Sequence, residues 1–190
     1  MAADYVAARL NMVESQVRTN DVTDVRIHDA MRAIPRETLV PADKAYQAYA
    51  DVAIEYVPGR YLLTPREVSK LLQVVKPLAG EKALAIAAPY AAAVLEALEV
   101  SVTRLDGEDL TAMPGADYDL IIVEGAVSRT PQAWLSALAL GGRLAVIERE
   151  GPTAKAALYG RAEDGVSRRT LFDAMAPLLA GFEPQAGFAF

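Results

Sequence analysis

From residue 65 onward the chain alternates helix-length segments with short apolar segments, and this alternation constrains its fold more than any other feature. The helix-length segments, with apolar residues three or four positions apart, are Pro65–Val75, Tyr90–Leu98 and Thr130–Ala139. The strand-like segments are Lys82–Ala87, Val100–Leu105, Asp119–Val123 and Arg143–Ile147. Strands that are apolar on both faces and alternate with helices are typical of a parallel sheet between helical layers. The pattern predicts an α/β fold of the Rossmann-like type with a mainly parallel sheet.

The two ends of the chain differ from this central pattern. Apolar residues recur with helical spacing in Ala7–Arg18 and Val25–Ala33, and a further short helical stretch is predicted at Lys44–Ala50. Near the other end, Val166–Phe172 and the final FEPQAGFAF suit a closing antiparallel pair of strands. The sequence therefore predicts a helical segment before the sheet and antiparallel strands after it.

Composition favours one compact domain. The chain has 190 residues, of which 53% are apolar, so it can bury a sizeable core and lacks the composition of a disordered chain. No internal repeat or low-complexity linker divides it. We expect a single domain over residues 1–190, with a helical portion at 1–58 and a Rossmann-like portion at 59–190.

Charge and residue usage argue against nucleic acid, metal ions and membranes as partners. The net charge of −6 repels polyphosphates, and acidic neighbours dilute the only tight basic group, Arg161, Arg168 and Arg169. The absence of cysteine and the single histidine, His28, exclude thiolate chemistry and any metal site with two histidines. Neither a signal peptide nor a run of ~18 apolar residues is present, so we expect a cytoplasmic protein.

Several sequence motifs resemble the protein-L-isoaspartate O-methyltransferase family. The most specific is NMVESQVRTNDVTDVRIHDAMRAIPRETLVP, followed by GRYLLTP, ADYDLIIVEGAV, LALGGRLAVIE and LFDAMAPLLAGFEPQAGFAF. The resemblance extends from about Ala8 to Phe190. It implies a Rossmann-like methyltransferase fold that binds S-adenosylmethionine and transfers a methyl group to the α-carboxylate of isoaspartyl residues in damaged proteins.

The expected cofactor motif departs from the family pattern. The resemblance implies a glycine-rich turn after the first strand of the sheet, because glycine lets the backbone approach the cofactor. Here the turn contains Ala87, Ala88, Pro89 and Tyr90 and no glycine. Proline also removes a backbone donor and restricts the residue before it. We expect the added methyl groups and the proline ring to block a cofactor in the standard pose.

The chain also looks too short between its second and third central strands. A helical crossover needs a dozen or more residues and a further strand about five, and residues 106–118 cannot hold both. One βα unit is therefore predicted to be missing. Asp106 or Glu108 could accept hydrogen bonds from a ribose, or LDGED could be a solvated loop. LDGED resembles the family's segment after the third strand, which would mean that the ribose-binding strand end has been lost.

The substrate loop departs from the family pattern as well. The resemblance implies a serine two residues before a proline, whose hydroxyl helps to hold the substrate carboxylate. Leu63 stands at that position, and Thr64 is one position away. Leucine cannot bond a carboxylate, and burying one beside it is unfavourable. Glu124 follows the strand DLIIV, where ligands bind in open α/β sheets, although a turn residue explains it as well.

These departures leave three hypotheses for function, and none of them has an assigned catalytic residue. The first is a degenerate family member that binds no cofactor in the standard way and acts as a binding or structural module, as a homo-oligomer or with a protein partner. The second is an active S-adenosylmethionine-dependent carboxyl methyltransferase with a remodelled pocket. The third is a Rossmann-type module for another nucleotide, which the missing glycines also disfavour.

Overall fold

The computed structural model describes residues 4–184, and its N-terminal part is helical as predicted. Helix α1 (Tyr5–Met12) continues into a π-helical turn, and helix α2 (Val25–Ala33) begins after Asp24, whose carboxylate accepts a hydrogen bond from the Arg26 N–H. The helix predicted at Lys44–Ala50 is instead a 3-10 helix at Ala42–Gln47. No described helix is long and apolar enough to cross a membrane.

A small hairpin that the sequence did not predict leads into the main sheet. Strands β1 (Ile54–Val57) and β2 (Arg60–Leu62) pair antiparallel, and the turn between them contains Gly59 at φ +70°. Helix α3 (Pro65–Val75) follows directly. The hairpin therefore lies next to the start of the first helix of the α/β portion.

The α/β portion is built on one six-stranded sheet. In chain order its elements are β3 (Lys82–Ile86), α4 (Pro89–Ala97), β4 (Ser101–Leu105), β5 (Tyr118–Val127), α5 (Gln132–Ser136), β6 (Leu138–Glu150), β7 (Thr153–Ala162) and β8 (Gly165–Ala174). The strand order is β4-β3-β5-β6-β7-β8. Strands β3 to β6 pair parallel, and β7 and β8 add to the edge antiparallel. The predicted α/β class with a mainly parallel sheet is confirmed.

The segment between β4 and β5 has no room for a further βα unit, as predicted. Residues 106–117 contain turns and bends and no strand. Strand β4 pairs directly with β3, with Leu105 opposite Ile86. In a doubly wound sheet the second strand lies beside the first, so the absent strand is the outer one. The position of β4 beside β3 argues against loss of the ribose-binding strand end, which stays a prediction.

Two further differences from the predicted elements lie in the second half of the chain. The helix predicted at Thr130–Ala139 is only the five-residue α5, because the Ala137 carbonyl already accepts a hydrogen bond from the Tyr118 N–H and Leu138 begins β6. Strand β7 was not predicted, whereas β8 contains the strand predicted at Val166–Phe172. Most of the predicted closing FEPQAGFAF strand, residues 185–190, lies outside the described residues.

The sheet separates two apolar layers of unequal size. Along β5, Leu120 and Ile122 face the larger layer, while Ile121 and Val123 face the smaller one, as the two-residue period of a strand requires. The larger layer contains the apolar residues of α3, α4 and the N-terminal helices. On the other side, α5 supplies Trp134, whose indole N–H donates to the Leu110 carbonyl at 2.7 Å. The smaller layer is thus covered mainly by one short helix and by loops.

Candidate cofactor crevice

The fold places its expected ligand site at the carboxyl ends of β3, β4 and β5. In open α/β sheets ligands bind where the strand order reverses, and here the chain leaves β3 toward β4 on one side and β5 lies on the other. The β3–α4 turn, Asp106, Glu124 and Leu63 all lie at this edge. We call this region the cofactor crevice.

The β3–α4 turn keeps the backbone shape of a glycine turn without the glycine. Ala87 has φ +45°, in the left-handed region that side chains with a Cβ disfavour, and its N–H donates to the Leu105 carbonyl at 3.0 Å. Ala87, Ala88 and Tyr90 are each at most 1% exposed. These residues, predicted as degenerate cofactor positions, therefore offer no accessible surface to a ligand.

Glu124 occupies the N-terminus of α4 from inside the protein. The register of β5 shifts between Ile122 and Ala126, and such bulges change the direction in which the strand's side chains point. The Glu124 side chain is fully buried, and its Oε1 accepts a hydrogen bond from the Ala91 N–H at 2.6 Å. Its Oε2 accepts one from the Leu63 N–H at 3.3 Å. Helix N-termini present free N–H groups that favour an anion, and here the protein's own carboxylate binds them.

A buried arginine lies close to this carboxylate. Arg36 is fully buried, donates to the Ala48 and Leu63 carbonyls at 2.8 and 2.7 Å, and lies 4.4 Å from the centre of the Tyr90 ring. Burial raises the pKa of Glu124 to about 7, although hydrogen bonds from the Ala91 and Leu63 N–H groups and the charge of Arg36 oppose that rise. Burial likewise lowers the pKa of Arg36. Sequence reasoning missed Arg36, because nothing local to IPRETLVP indicates that it packs against Tyr90.

Two other parts of the chain cover the cofactor crevice. Leu179 packs so closely on Gly125 that a Cβ there would lie 2.5 Å from its Cδ2, and the backbone of Ala126 exchanges hydrogen bonds of 2.8 Å with Pro177 and Leu179. Arg60, only 9% exposed, lies within 3.5 Å of the carbonyls of Gly59, Gly107 and Ala180. The segment after β8 and the β1–β2 hairpin thus meet over the strand ends.

The two candidate ribose acceptors are both exposed but lie at different distances from the strand ends. Asp106 directly follows β4, next to the carboxyl end of β3, and desolvation raises its pKa against the opposing charges of Arg104 and Arg60. Glu108 lies two residues further along an exposed loop. Only Asp106 has the location that a ribose acceptor beside the first strand requires.

The two candidate substrate-loop residues have structural contacts. Leu63 is fully buried, and both its N–H and its carbonyl are bonded, to Glu124 and Arg36 respectively. Thr64 is the N-cap of α3, where its hydroxyl accepts from the Glu67 N–H at 3.2 Å and donates to the Glu67 carboxylate at 3.1 Å. Capping accounts for Thr64 without a ligand.

Replacing Thr64 with alanine is expected to lower the free energy of unfolding by about 1 kcal/mol, because the cap of α3 is lost. Thr64→Ser keeps the hydroxyl and should remain within about 0.5 kcal/mol of the unmodified protein. Urea denaturation of the three proteins measures both values. Equal losses in both variants would show that the methyl group, rather than the cap, stabilises this turn.

No metal centre is evident at the crevice or elsewhere in residues 4–184, where no three histidine, aspartate or glutamate side chains lie close enough to hold an ion. The prediction that the chain uses no metal remains a prediction. It rests on the residue types available in the sequence.

The strand order and the position of the crevice define a Rossmann-like methyltransferase fold. Two solved structures of protein-L-isoaspartate O-methyltransferases share this fold. The first has a TM-score of 0.72 and 19% identity, and the match covers 91% of this chain and 66% of that one. The second, a putative enzyme from Plasmodium falciparum in complex with S-adenosyl-L-homocysteine, has a TM-score of 0.71 and 15% identity, with coverage of 90% and 97%.

Sequence comparison is more specific than the fold. The family model for protein-L-isoaspartate(D-aspartate) O-methyltransferase matches residues 8–104. A protein-L-isoaspartate O-methyltransferase from Methylorubrum populi is 31% identical over 167 residues, which cover 74% of this chain and 79% of the relative. The chain belongs to the protein-L-isoaspartate O-methyltransferase family.

Proposed function

We propose that this chain is a non-catalytic member of its family that does not bind S-adenosylmethionine in the standard pose and acts as a binding or structural module. One observation carries the proposal: the β3–α4 turn is buried, and the Glu124 carboxylate bonds the N–H groups that face it. A cofactor in that pose would need the space and the polar contacts that the protein itself uses.

Opening the crevice would disrupt several interactions at once. The ligand would have to separate Glu124 from the Ala91 N–H and displace Leu179 from Gly125. Each buried N–H left without a partner costs about 1–3 kcal/mol, and exposing a leucine side chain costs about 1.5–3 kcal/mol. Together these costs offset much of the affinity of a micromolar ligand, about 8 kcal/mol.

The substrate side of the crevice supports the same proposal. Leu63 is buried and its backbone groups are already bonded, so it has neither a free donor nor space for a carboxylate. An unpaired carboxylate beside an apolar side chain is strongly unfavourable. Leu63 thus offers no favourable contact to the group that would accept the methyl.

Two observations favour the alternative, an active carboxyl methyltransferase with a remodelled pocket. Ala87 retains the left-handed backbone that suits a glycine turn, and Asp106 lies beside β3, where a ribose acceptor belongs. In that case the segment around Leu179 and the Glu124 side chain would move aside on binding. The family members named as methyltransferases make this the principal competing function.

Transfer of a labelled methyl group from S-adenosylmethionine to an isoaspartyl peptide separates the two functions. We expect no incorporation above a blank without protein, while an active family member assayed in parallel verifies the peptide and the label. Turnover that increases in proportion to the concentration of this chain would establish the alternative. If no methyl group is incorporated, light scattering should test whether a second copy of the chain is the partner that a binding module requires.

A further inference from the structure

A second cleft, outside the cofactor crevice, lies at the carboxyl end of β6. Its volume is about 490 Å³, within the usual range of small-ligand sites. Residues after β5, the β6–β7 turn and two neighbouring strands surround it: Ser128, Arg129, Glu148, Arg149, Glu150, Gly151, Thr153, Lys155, Arg168 and Pro184. We name it the β6 cleft.

Four basic residues surround the β6 cleft in a chain whose net charge is −6. Among residues 4–184, the acidic residues that line it are Glu148 and Glu150. This local excess of positive charge runs against the overall charge of the protein. An uneven distribution of this kind attracts anions to a cleft.

Glu148 pairs with Arg168, so it does not neutralise the other cations of the cleft. Its carboxylate accepts hydrogen bonds from Thr130 at 2.7 Å and Tyr159 at 2.5 Å, and it pairs with Arg168 at 2.5 Å. Although partial burial opposes them, these contacts hold the pKa of Glu148 below its usual value. Glu148 and Arg168 therefore form a neutral, internally bonded pair at one side of the cleft.

The remaining cations have few partners. Arg129 is exposed and has no hydrogen bond or ion pair with any residue from 4 to 184. Lys155 contacts Asp173 only at 3.7 Å, and both side chains are largely exposed, so this pair is weak. Arg149 donates only to the carbonyls of Gly151 and Ala176, at 3.3 and 3.4 Å. Three cations with few partners among residues 4–184 thus line the cleft.

From this arrangement we propose that the β6 cleft binds a multiply charged small anion, carrying either phosphate or carboxylate groups. Arg129 and Lys155 supply the main charges, and arginine can bond either type of group with two parallel N–H donors. The short helix α5 leaves this end of the sheet open, so the ligand can approach from solvent. This site does not depend on whether the cofactor crevice is closed.

Calorimetric titration of the full chain with pyrophosphate and, separately, with citrate tests the proposal. We expect saturable binding with a stoichiometry near one and a Kd of about 0.1–1 mM for at least one of the two probes. The probe that binds more tightly then identifies the phosphate or the carboxylate source. Absence of saturable binding for both probes would overturn the proposal.

Variants of single charges locate the binding. Arg129→Gln and Lys155→Gln should each weaken binding about tenfold or more, because each removes a charge-assisted contact. Arg104→Gln is the matched control, since Arg104 is exposed, pairs with Glu96 and lies on β4 at the opposite edge of the sheet. A similar loss in all three variants would mean attraction by the overall charge alone and would contradict a site. Unchanged thermal unfolding midpoints verify that the variants fold.

Discussion

Glu124→Ala is expected to lower the free energy of unfolding by about 3–5 kcal/mol, the largest effect that we predict for a single substitution. The substitution leaves the Ala91 and Leu63 N–H groups without their acceptor in a fully buried site. It also removes a carboxyl group whose charge acts on the buried Arg36 guanidinium. Equilibrium urea denaturation at pH 7 measures the loss.

Glu124→Gln is the matched control for this prediction. Its amide carbonyl can still accept one of the two hydrogen bonds and fills the same space, so the loss should be less than half of that for alanine. If Glu124→Ala unfolds within about 1 kcal/mol of the unmodified protein, the carboxylate is not the internal cap of α4 that the distances indicate.

Stability is expected to fall as the pH rises from 5 to 8, because of Glu124. Its pKa is about 7 in the folded protein and about 4.5 when unfolded, so between these values the folded state holds a proton that the unfolded state has released. Stability from this group is therefore fully present below pH 4.5 and is lost as the pH passes 7. The loss amounts to about 3 kcal/mol, at about 1.4 kcal/mol for each unit of pKa shift.

Measuring the unmodified protein against Glu124→Gln isolates this contribution. Carboxylates whose pKa is lowered, such as Asp24, Glu81 and Glu148, act in the opposite direction and at lower pH, and they are common to both proteins. The stability of Glu124→Gln relative to the unmodified protein should therefore rise by about 3 kcal/mol from pH 5 to pH 8. A constant difference across this range would show that Glu124 stays ionised throughout.

Local sequence predicted those features of the fold that depend on local periodicity. Strands β3 and β4 and helices α3 and α4 were found close to their predicted bounds, because buried strands and amphipathic helices leave their period in the sequence. Strands β5 and β6 extend well beyond the predicted Asp119–Val123 and Arg143–Ile147. The missing βα unit was predictable from length, since residues 106–118 cannot form both a crossover and a strand. Helix α5 was overestimated because hydrogen bonds to distant β5 end it early.

Contacts between distant segments were not predictable in the same way. The sequence indicated that Ala87, Ala88, Tyr90 and Glu124 belong to one site, yet it did not reveal that Glu124 caps α4. Nor did it reveal that Leu179 covers Gly125, since such a contact depends on where the chain after β8 crosses the sheet. Strand order, which places Asp106 beside β3, depends equally on long-range pairing.

Equilibrium binding of S-adenosylhomocysteine tests most directly whether the protein's own groups close the crevice. In calorimetric titration of the full chain with the ligand at about 1 mM, the proposed function predicts no saturable heat, since Glu124 already bonds the Ala91 N–H and Leu179 packs on Gly125. Saturable binding with a stoichiometry near one, together with protection of residues 86–92 from hydrogen exchange, would contradict this account and place a ligand over the alanine turn.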